Sequence, residues 1–250
     1  MNKLSSLLLA ALPCFVACAG QTYRVDVGPF FARATGDVAL QSASGGSFDK
    51  NDLDGDLGLD DTEPSPYVRL QMDKERHRVR IHGFGVDSDG SGTLVNDYGG
   101  IPAGATVTTA MEFFSIAGNW GYQIARGENY RIAIGAQAGY YSLDVAARST
   151  AGREEVQTDV LAPMPFAEVE GLFGAFTVGI NGAVIAADLG DGSGRYLDVE
   201  AYARWSAAKD FDFFGGYRYV VLDAYGRATS RDFDADVDVQ GLFFGAGIRF

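Results

Sequence analysis

The sequence predicts an all-β fold, a closed antiparallel transmembrane β-barrel of about ten strands in up-and-down order. Three observations predict it. The 250 residues include 33 glycines against 7 prolines and are 47% hydrophobic and 12% aromatic, which favours a folded β protein over a disordered chain or a coiled coil. Segments of about ten residues repeatedly place apolar side chains on one face and polar or charged ones on the other. The connections between these segments alternate between short and long, as membrane barrels require.

The first 19 residues have the features of an export signal. A basic start at Lys3 precedes an apolar stretch over residues 4–16, and Ala17-Cys18-Ala19 has the pattern of a cleavage site. We therefore expect a signal peptide at 1–19 and one barrel domain at 20–250. Because both cysteines lie in that segment, the mature chain has no disulfide, thiolate metal site or cysteine nucleophile. An alternative stays open, in which Cys18 is lipidated.

The charge balance excludes one class of partner. Removal of Lys3 with the signal leaves 19 Lys and Arg against 33 Asp and Glu, a net charge of −14. Such an acidic chain lacks the positively charged surface that binding of nucleic acid requires.

The longest later apolar stretch, residues 172–187, is shorter than the roughly 20 residues of a spanning helix and is rich in glycine. We therefore interpret it as a strand.

Ten segments carry the alternation, at 22–35, 63–73, 76–87, 107–124, 129–145, 159–173, 175–187, 195–207, 210–225 and 236–250. The second and third place Leu70 and Ile81 opposite arginines on the other face. In the fourth, Glu112 would face lipid and is tolerable only near the outer headgroups. In the sixth, Pro163 and Pro165 fit the outer end of a strand, so the embedded part should begin near Phe166.

The later segments show why the polar face must be the lumen. Leu197, Val199 and Ala201 alternate with Asp198 and Glu200, so charges occupy what a soluble barrel would make its dry interior. Short links at 73–76, 125–128, 173–174 and 207–210 read as periplasmic turns. Long links at 36–62, 88–106, 146–158, 188–194 and 226–235 read as extracellular loops. Both termini are then periplasmic.

The whole mature chain resembles small bacterial outer-membrane β-barrel proteins. Its last residues, Gly247-Ile248-Arg249-Phe250, resemble the C-terminal aromatic signature that the assembly machinery of this class recognises. The resemblance implies residence in the outer membrane, contact with its lipid and lipopolysaccharide, the assembly machinery as a partner, and Phe250 as the assembly signal.

The candidate site is a charged lumen of roughly 10 Å backbone radius. The inward residues of the first three strands are mainly basic, and those of the sixth and eighth are mainly acidic. The set is Arg24, Asp26, Arg69, Arg78, Arg80, His82, Glu168, Glu170, Asp198, Glu200 and Arg204. Two interpretations stay open, a salt-bridge network that fills the lumen and a narrow water-filled pore with a transverse field. Binding of a small ligand is a lesser alternative.

We expect no catalysis and no cofactor. The two histidines, His77 near a periplasmic turn and His82 in the middle of the barrel, are not placed for rim proteolysis, and a lone lumen histidine such as His82 beside Ser115 is more often a hydrogen-bonded filler. The acidic runs at 49–63 and 87–92 lack the EF-hand pattern, because position twelve from Asp87 is Tyr98. Weak divalent binding there stays an alternative.

The expected function is a structural barrel or narrow pore. Surface binding through the long acidic loops is the rival hypothesis, and a barrel enzyme is the least favoured one.

Overall fold

The computed structural model describes residues 20–42, 48–59, 63–189, 192–228 and 231–250. The predicted signal peptide and the loop carboxylates Asp60 and Asp61 lie outside these ranges. Eleven strands are described: β1 (Gln21–Leu40), β2 (Asn51–Asp52), β3 (Glu63–Lys74), β4 (His77–Thr93), β5 (Thr106–Arg126), β6 (Tyr130–Ser149), β7 (Gly152–Phe173), β8 (Phe176–Leu189), β9 (Gly192–Ala208), β10 (Phe211–Ala228) and β11 (Arg231–Arg249).

The ten long strands form one ring in chain order. Each pairs antiparallel with its neighbours, and β1 closes the ring by pairing with both β3 and β11. Arg24, for example, lies opposite Gln71 on one side and Arg249 on the other. The two-residue β2 pairs with β1 alone. The prediction of an up-and-down barrel of about ten strands is confirmed. Within the described residues, no helix is long and apolar enough to cross a membrane.

An apolar belt surrounds the half of the barrel next to the short turns. Large apolar side chains point outward and are exposed there, such as Ile134 on β6 and Phe176 and Ile180 on β8. On β6 the belt runs from Tyr130 to Tyr140. Ten residues of a strand tilted by about 40° rise about 25 Å along the barrel axis. This is the height of the lipid-facing band of a transmembrane barrel.

Above the belt the two faces of the wall exchange character. On β6, Ser142 and Asp144 point outward and are partly exposed, whereas Leu143 and Val145 point inward and are fully buried. The strands therefore continue above the belt with an apolar interior and a more polar outer face. The prediction of long loops at 146–158, 188–194 and 226–235 is wrong, because strands extend into all three ranges. The period of two persists, but the apolar face has moved from outside to inside.

The first two long loops close the top of this extension. Leu53 and Leu57 of the first loop and Tyr98 and Ile101 of the second are buried in the apolar core. The first loop lies against β4 so closely that a Cβ on Gly90 would sit 1.9 Å from the Gly58 carbonyl oxygen. The glycines of the acidic 87–92 run thus serve close backbone packing.

Candidate functional site: the charged lumen

The structure places all eleven predicted lumen residues on the inner wall of the membrane half. Strands β1, β3 and β4 hold the mainly basic group, and β7 and β9 hold the mainly acidic group. Ten of the eleven residues are buried. Arg24 is the exception, with 16% of its side chain exposed at the end with the short turns. The alternation of each strand aims these side chains at one another across the lumen.

One cluster joins β4 to β7. Arg78 Nη1 lies 2.8 Å from a carboxylate oxygen of both Glu168 and Glu170, and Arg80 Nη2 lies 2.7 Å from Glu168. The Tyr202 hydroxyl, from β9, lies 2.7 Å from Glu170. Such charge-assisted contacts are stronger than neutral hydrogen bonds. These contacts connect strands β4, β7 and β9 across the lumen.

A second cluster joins β3, β9 and β10. Arg69 Nη2 lies 2.5 Å from Glu200 Oε1, and the Tyr67 hydroxyl donates to the other oxygen of Glu200 at 2.9 Å. Arg218 donates to Asp198 at 2.6 Å and also contacts Nε2 of His82. His82 is therefore engaged in the network.

The third cluster lies nearest the short turns. Arg204 Nη2 lies 2.5 Å from Asp26 Oδ2. Asp212, fully buried, lies 3.0 Å from Nε of Arg24 and accepts from Arg249 at 2.7 Å. Below this cluster a cavity of about 410 Å³ opens between strand ends and short turns, and its lining includes Arg24, Arg131 and Glu170. The more open end of the lumen is thus the end with the short turns.

Among the members of the network that the sequence interpretation missed are Tyr67, Tyr202, Asp212 and Arg218. The signal for the last two was present, because Asp212 and Arg218 share one face of β10 with Phe214 and Val220, which are also buried. With them, the buried charges of the described lumen are five arginines (69, 78, 80, 204, 218) and six carboxylates (26, 168, 170, 198, 200, 212). The partly exposed Arg24, Asp73, Arg131 and Arg249 pair with members of this set near the short turns. Each of the six carboxylates contacts at least one arginine.

A layer of aromatic rings lies directly above the charges. The Phe30 and Phe84 rings meet edge to face at 4.8 Å, and the Tyr67 and Phe243 rings stack at 4.8 Å. The guanidinium of Arg218 lies 5.1 Å from the centre of the Phe84 ring, so the charged and apolar layers are in direct contact. All of these rings are fully buried, and together with the apolar core above them they close the lumen.

The side chains of Ser115 and His82 form no hydrogen bond with each other. Ser115 lies opposite Phe84, and its hydroxyl has no hydrogen-bond partner in the described structure. His77 is exposed beside a short turn, where its Nδ1 accepts from Trp120 at 3.3 Å. No group of three or more His, Cys, Asp and Glu side chains able to hold a metal occurs among the described residues. The contacts of the lumen side chains support packing of the interior and pairing of its charges.

Comparison with solved structures identifies the architecture. The crystal structure of the outer membrane protease OmpT from Escherichia coli matches with a TM-score of 0.61 and 9% identity, covering 95% of this chain and 99% of OmpT. The chain has an outer-membrane β-barrel fold. The likeness at this identity concerns the fold and carries no activity across.

Two further solved structures match with lower TM-scores. They are outer membrane protein AlkL (14% identity, 100% of this chain and 97% of AlkL, TM-score 0.41) and Neisserial surface protein A (12% identity, 94% of this chain and 100% of that protein, TM-score 0.37). No protein-family model and no curated protein matches the sequence.

Proposed function

We propose that this protein is a non-conducting, non-enzymatic barrel of the bacterial outer membrane that supports a rigid β-extension at the cell surface. In this proposal the chain is exported by its signal peptide, inserted by the outer-membrane assembly machinery through its C-terminal strand and Phe250, and surrounded by lipid and lipopolysaccharide. The observation that carries it is the layered interior, in which paired charges, aromatic rings and an apolar core succeed one another from the short turns toward the loops.

The layered interior favours the filled lumen over the pore. A conducting path needs a continuous hydrated route, but Phe30, Phe84 and Phe243 and the side chains above them are packed without exposure. In the buried salt bridges below, the arginine nitrogens lie 2.5–2.8 Å from the carboxylate oxygens.

The direct experiment is single-channel recording in planar bilayers. We expect no steady conductance from the purified wild-type protein. The variant Phe84→Gly/Phe243→Gly would open the aromatic layer and should produce at most small, unstable events, because the apolar core above remains. Stable ohmic conductance from wild-type protein would overturn the proposal.

The second candidate, surface binding, is favoured by the outer face of the extension rather than by the loops. Asp234, Asp236 and Asp238 point outward from β11, and Asp236 lies opposite both Asp37 and Asp223. Burial raises the pKa of Asp37, and Asp52 and Asp236 raise it further. This acidic face suits a cationic partner, including divalent ions that bridge to the phosphates of lipopolysaccharide. Isothermal titration with calcium, comparing wild type with Asp236→Asn/Asp238→Asn, tests this candidate, and equal heats from both proteins would contradict it.

A further inference from the structure

The barrel wall has a gap between β7 and β8. Their ladder runs from Phe173↔Phe176 up to Phe166↔Ala183 and ends there. Both strands continue beyond it: β7 stays paired with β6 up to Gly152, and β8 stays paired with β9 up to Leu189. Above Phe166, two fully formed strands therefore lie side by side in the ring without pairing.

Two prolines explain why the ladder stops. Pro165 and Pro163 pair with Ala136 and Ala138 of β6, and since proline has no N–H, these must be the non-hydrogen-bonded positions of that ladder. The backbone nitrogen and carbonyl groups of both prolines consequently point toward β8. If the β7–β8 register continued, Pro165 would lie opposite Val184 and Pro163 opposite Ala186, and both donors needed from β7 would be absent.

The gap opens at the level of the outer leaflet. Tyr140 and its partner Leu161 form the top of the apolar belt, with the more polar Ser142 and Asp159 as the next outward pair. The prolines lie just below that level. Higher up, a salt bridge of 2.7 Å from Glu154 to Arg231 ties the top of β7 to β11 rather than to β8. The gap is thus bounded below by the ladder, and we refer to it as the window.

The window is lined by apolar groups on both sides of the wall. On the outside Leu161 is 66% exposed and Val184 49% exposed. On the inside Ala162 and Met164 are buried and Ile185 packs against the core. The edge of β8 also presents the amides of Val184 and Ala186, and an unsatisfied backbone group in hydrocarbon costs several kcal/mol. The occupant must therefore combine an apolar chain with hydrogen-bonding oxygen near its head.

A comparable gap on the other side of the barrel is filled by the chain itself. The β3–β4 ladder ends at Val68↔Gly83, and the first loop lies along β4 above it, with Gly58 against Gly90. In the described ranges, no segment of the chain covers the β7–β8 window in this way. A second copy could pair with only one edge of the window, that of β8, because the edge of β7 lacks the N–H groups of Pro163 and Pro165.

We propose that the β7–β8 window binds an acyl chain of an outer-leaflet lipid. The chain lies against Leu161, Pro165 and Val184, and the ester, amide or hydroxyl oxygens at its head accept from the free amides of β8. This inference rests on the proposed residence in the outer membrane, but it concerns one site on the wall, which can be tested in reconstituted protein.

The first test is amide hydrogen exchange of the protein in lipid nanodiscs. We expect the amides of Val184 and Ala186 to exchange at least about tenfold faster than that of Gly182, which remains in the ladder, a difference equivalent to about 1.4 kcal/mol of protection. The double variant Pro163→Thr/Pro165→Val restores both donors and should bring the two amides to the rate of Gly182. Equal rates in the wild-type protein would overturn the window.

The second test identifies the occupant with a photoactivatable phosphatidylglycerol that carries a diazirine in its acyl chain. Crosslinks should concentrate at 161–165 and 184–186 over the equally lipid-facing Leu242 and Phe244 of β11, and should fall to the β11 level in the double variant. Uniform labelling, or crosslinking between two copies through β8, would overturn the lipid assignment. Loss of outer-membrane location would instead appear in cell fractionation and would leave these reconstituted measurements unchanged.

Discussion

The pair Arg69–Glu200 tests most directly whether the salt bridges of the lumen are buried and stabilise the fold. Both side chains are almost completely buried, and Glu200 is the one carboxylate in salt-bridge contact with Arg69 among the described residues. Glu200→Gln keeps the shape and an acceptor for Tyr67 but leaves the guanidinium without a counter-charge. Breaking a buried pair costs about 3–5 kcal/mol, and since one acceptor remains, we expect a loss of about 3 kcal/mol.

The measurement is urea unfolding of the protein in lipid vesicles, followed by tryptophan fluorescence. The matched control is Glu155→Gln, which removes a partner of Arg153 at 2.7 Å where the two side chains are 41% and 53% exposed. Its expected cost is about 0–1 kcal/mol. The double variant Arg69→Met/Glu200→Met should recover most of the stability lost in Glu200→Gln, because no charge is then buried alone. Equal losses from Glu200→Gln and Glu155→Gln would refute the reasoning.

Three further predictions concern assembly and the outer surface. Ile180→Arg, in the middle of the apolar belt, should lower folding stability by about 2–4 kcal/mol, whereas Ser142→Arg, above the belt, should fold normally in a vesicle-insertion assay. Deletion of Phe250, whose ring stacks on Tyr23 at 6.0 Å, should leave exported protein as a degraded periplasmic pool, and a normal outer-membrane yield would contradict its role. Burial, Glu155 and Glu112 raise the pKa of Asp144, so wild-type stability is lost as pH rises from about 4 through that raised pKa. Asp144→Asn should therefore stabilise the protein by about 0.2–1 kcal/mol at pH 7 and flatten this part of the melting profile.

The fold was predictable because a period of two with charges on one face has few physical solutions. Asp198 and Glu200 between Leu197 and Val199 can face a lumen but not hydrocarbon, and the observed pairing places them there. The opposed walls of the candidate site follow from the same alternation. Arg218 was missed although its strand was predicted, because a single charge among apolar neighbours gives a weak signal.

The extension above the membrane could not be read in the same way. In β6 the apolar side chains pass from the even positions up to Tyr140 to the odd positions from Tyr141 onward. A pattern search that follows one apolar face registers this shift as the end of the strand. The β7–β8 window was also beyond reach, since Pro163 and Pro165 showed which donors were missing but not that both strands continue past them.

The exchange of faces is the central claim, and spin-label accessibility along β6 tests it most directly. Single cysteines placed one at a time from 134 to 148 need no background substitution in a protein expressed from residue 20 onward, because both cysteines lie before that residue. We predict that even positions up to 140 are accessible to oxygen in the lipid, that even positions from 142 are accessible to a water-soluble nickel chelate, and that odd positions are shielded from both. Lipid accessibility at 142, 144 and 146, or water accessibility at 143 and 145, would contradict the account.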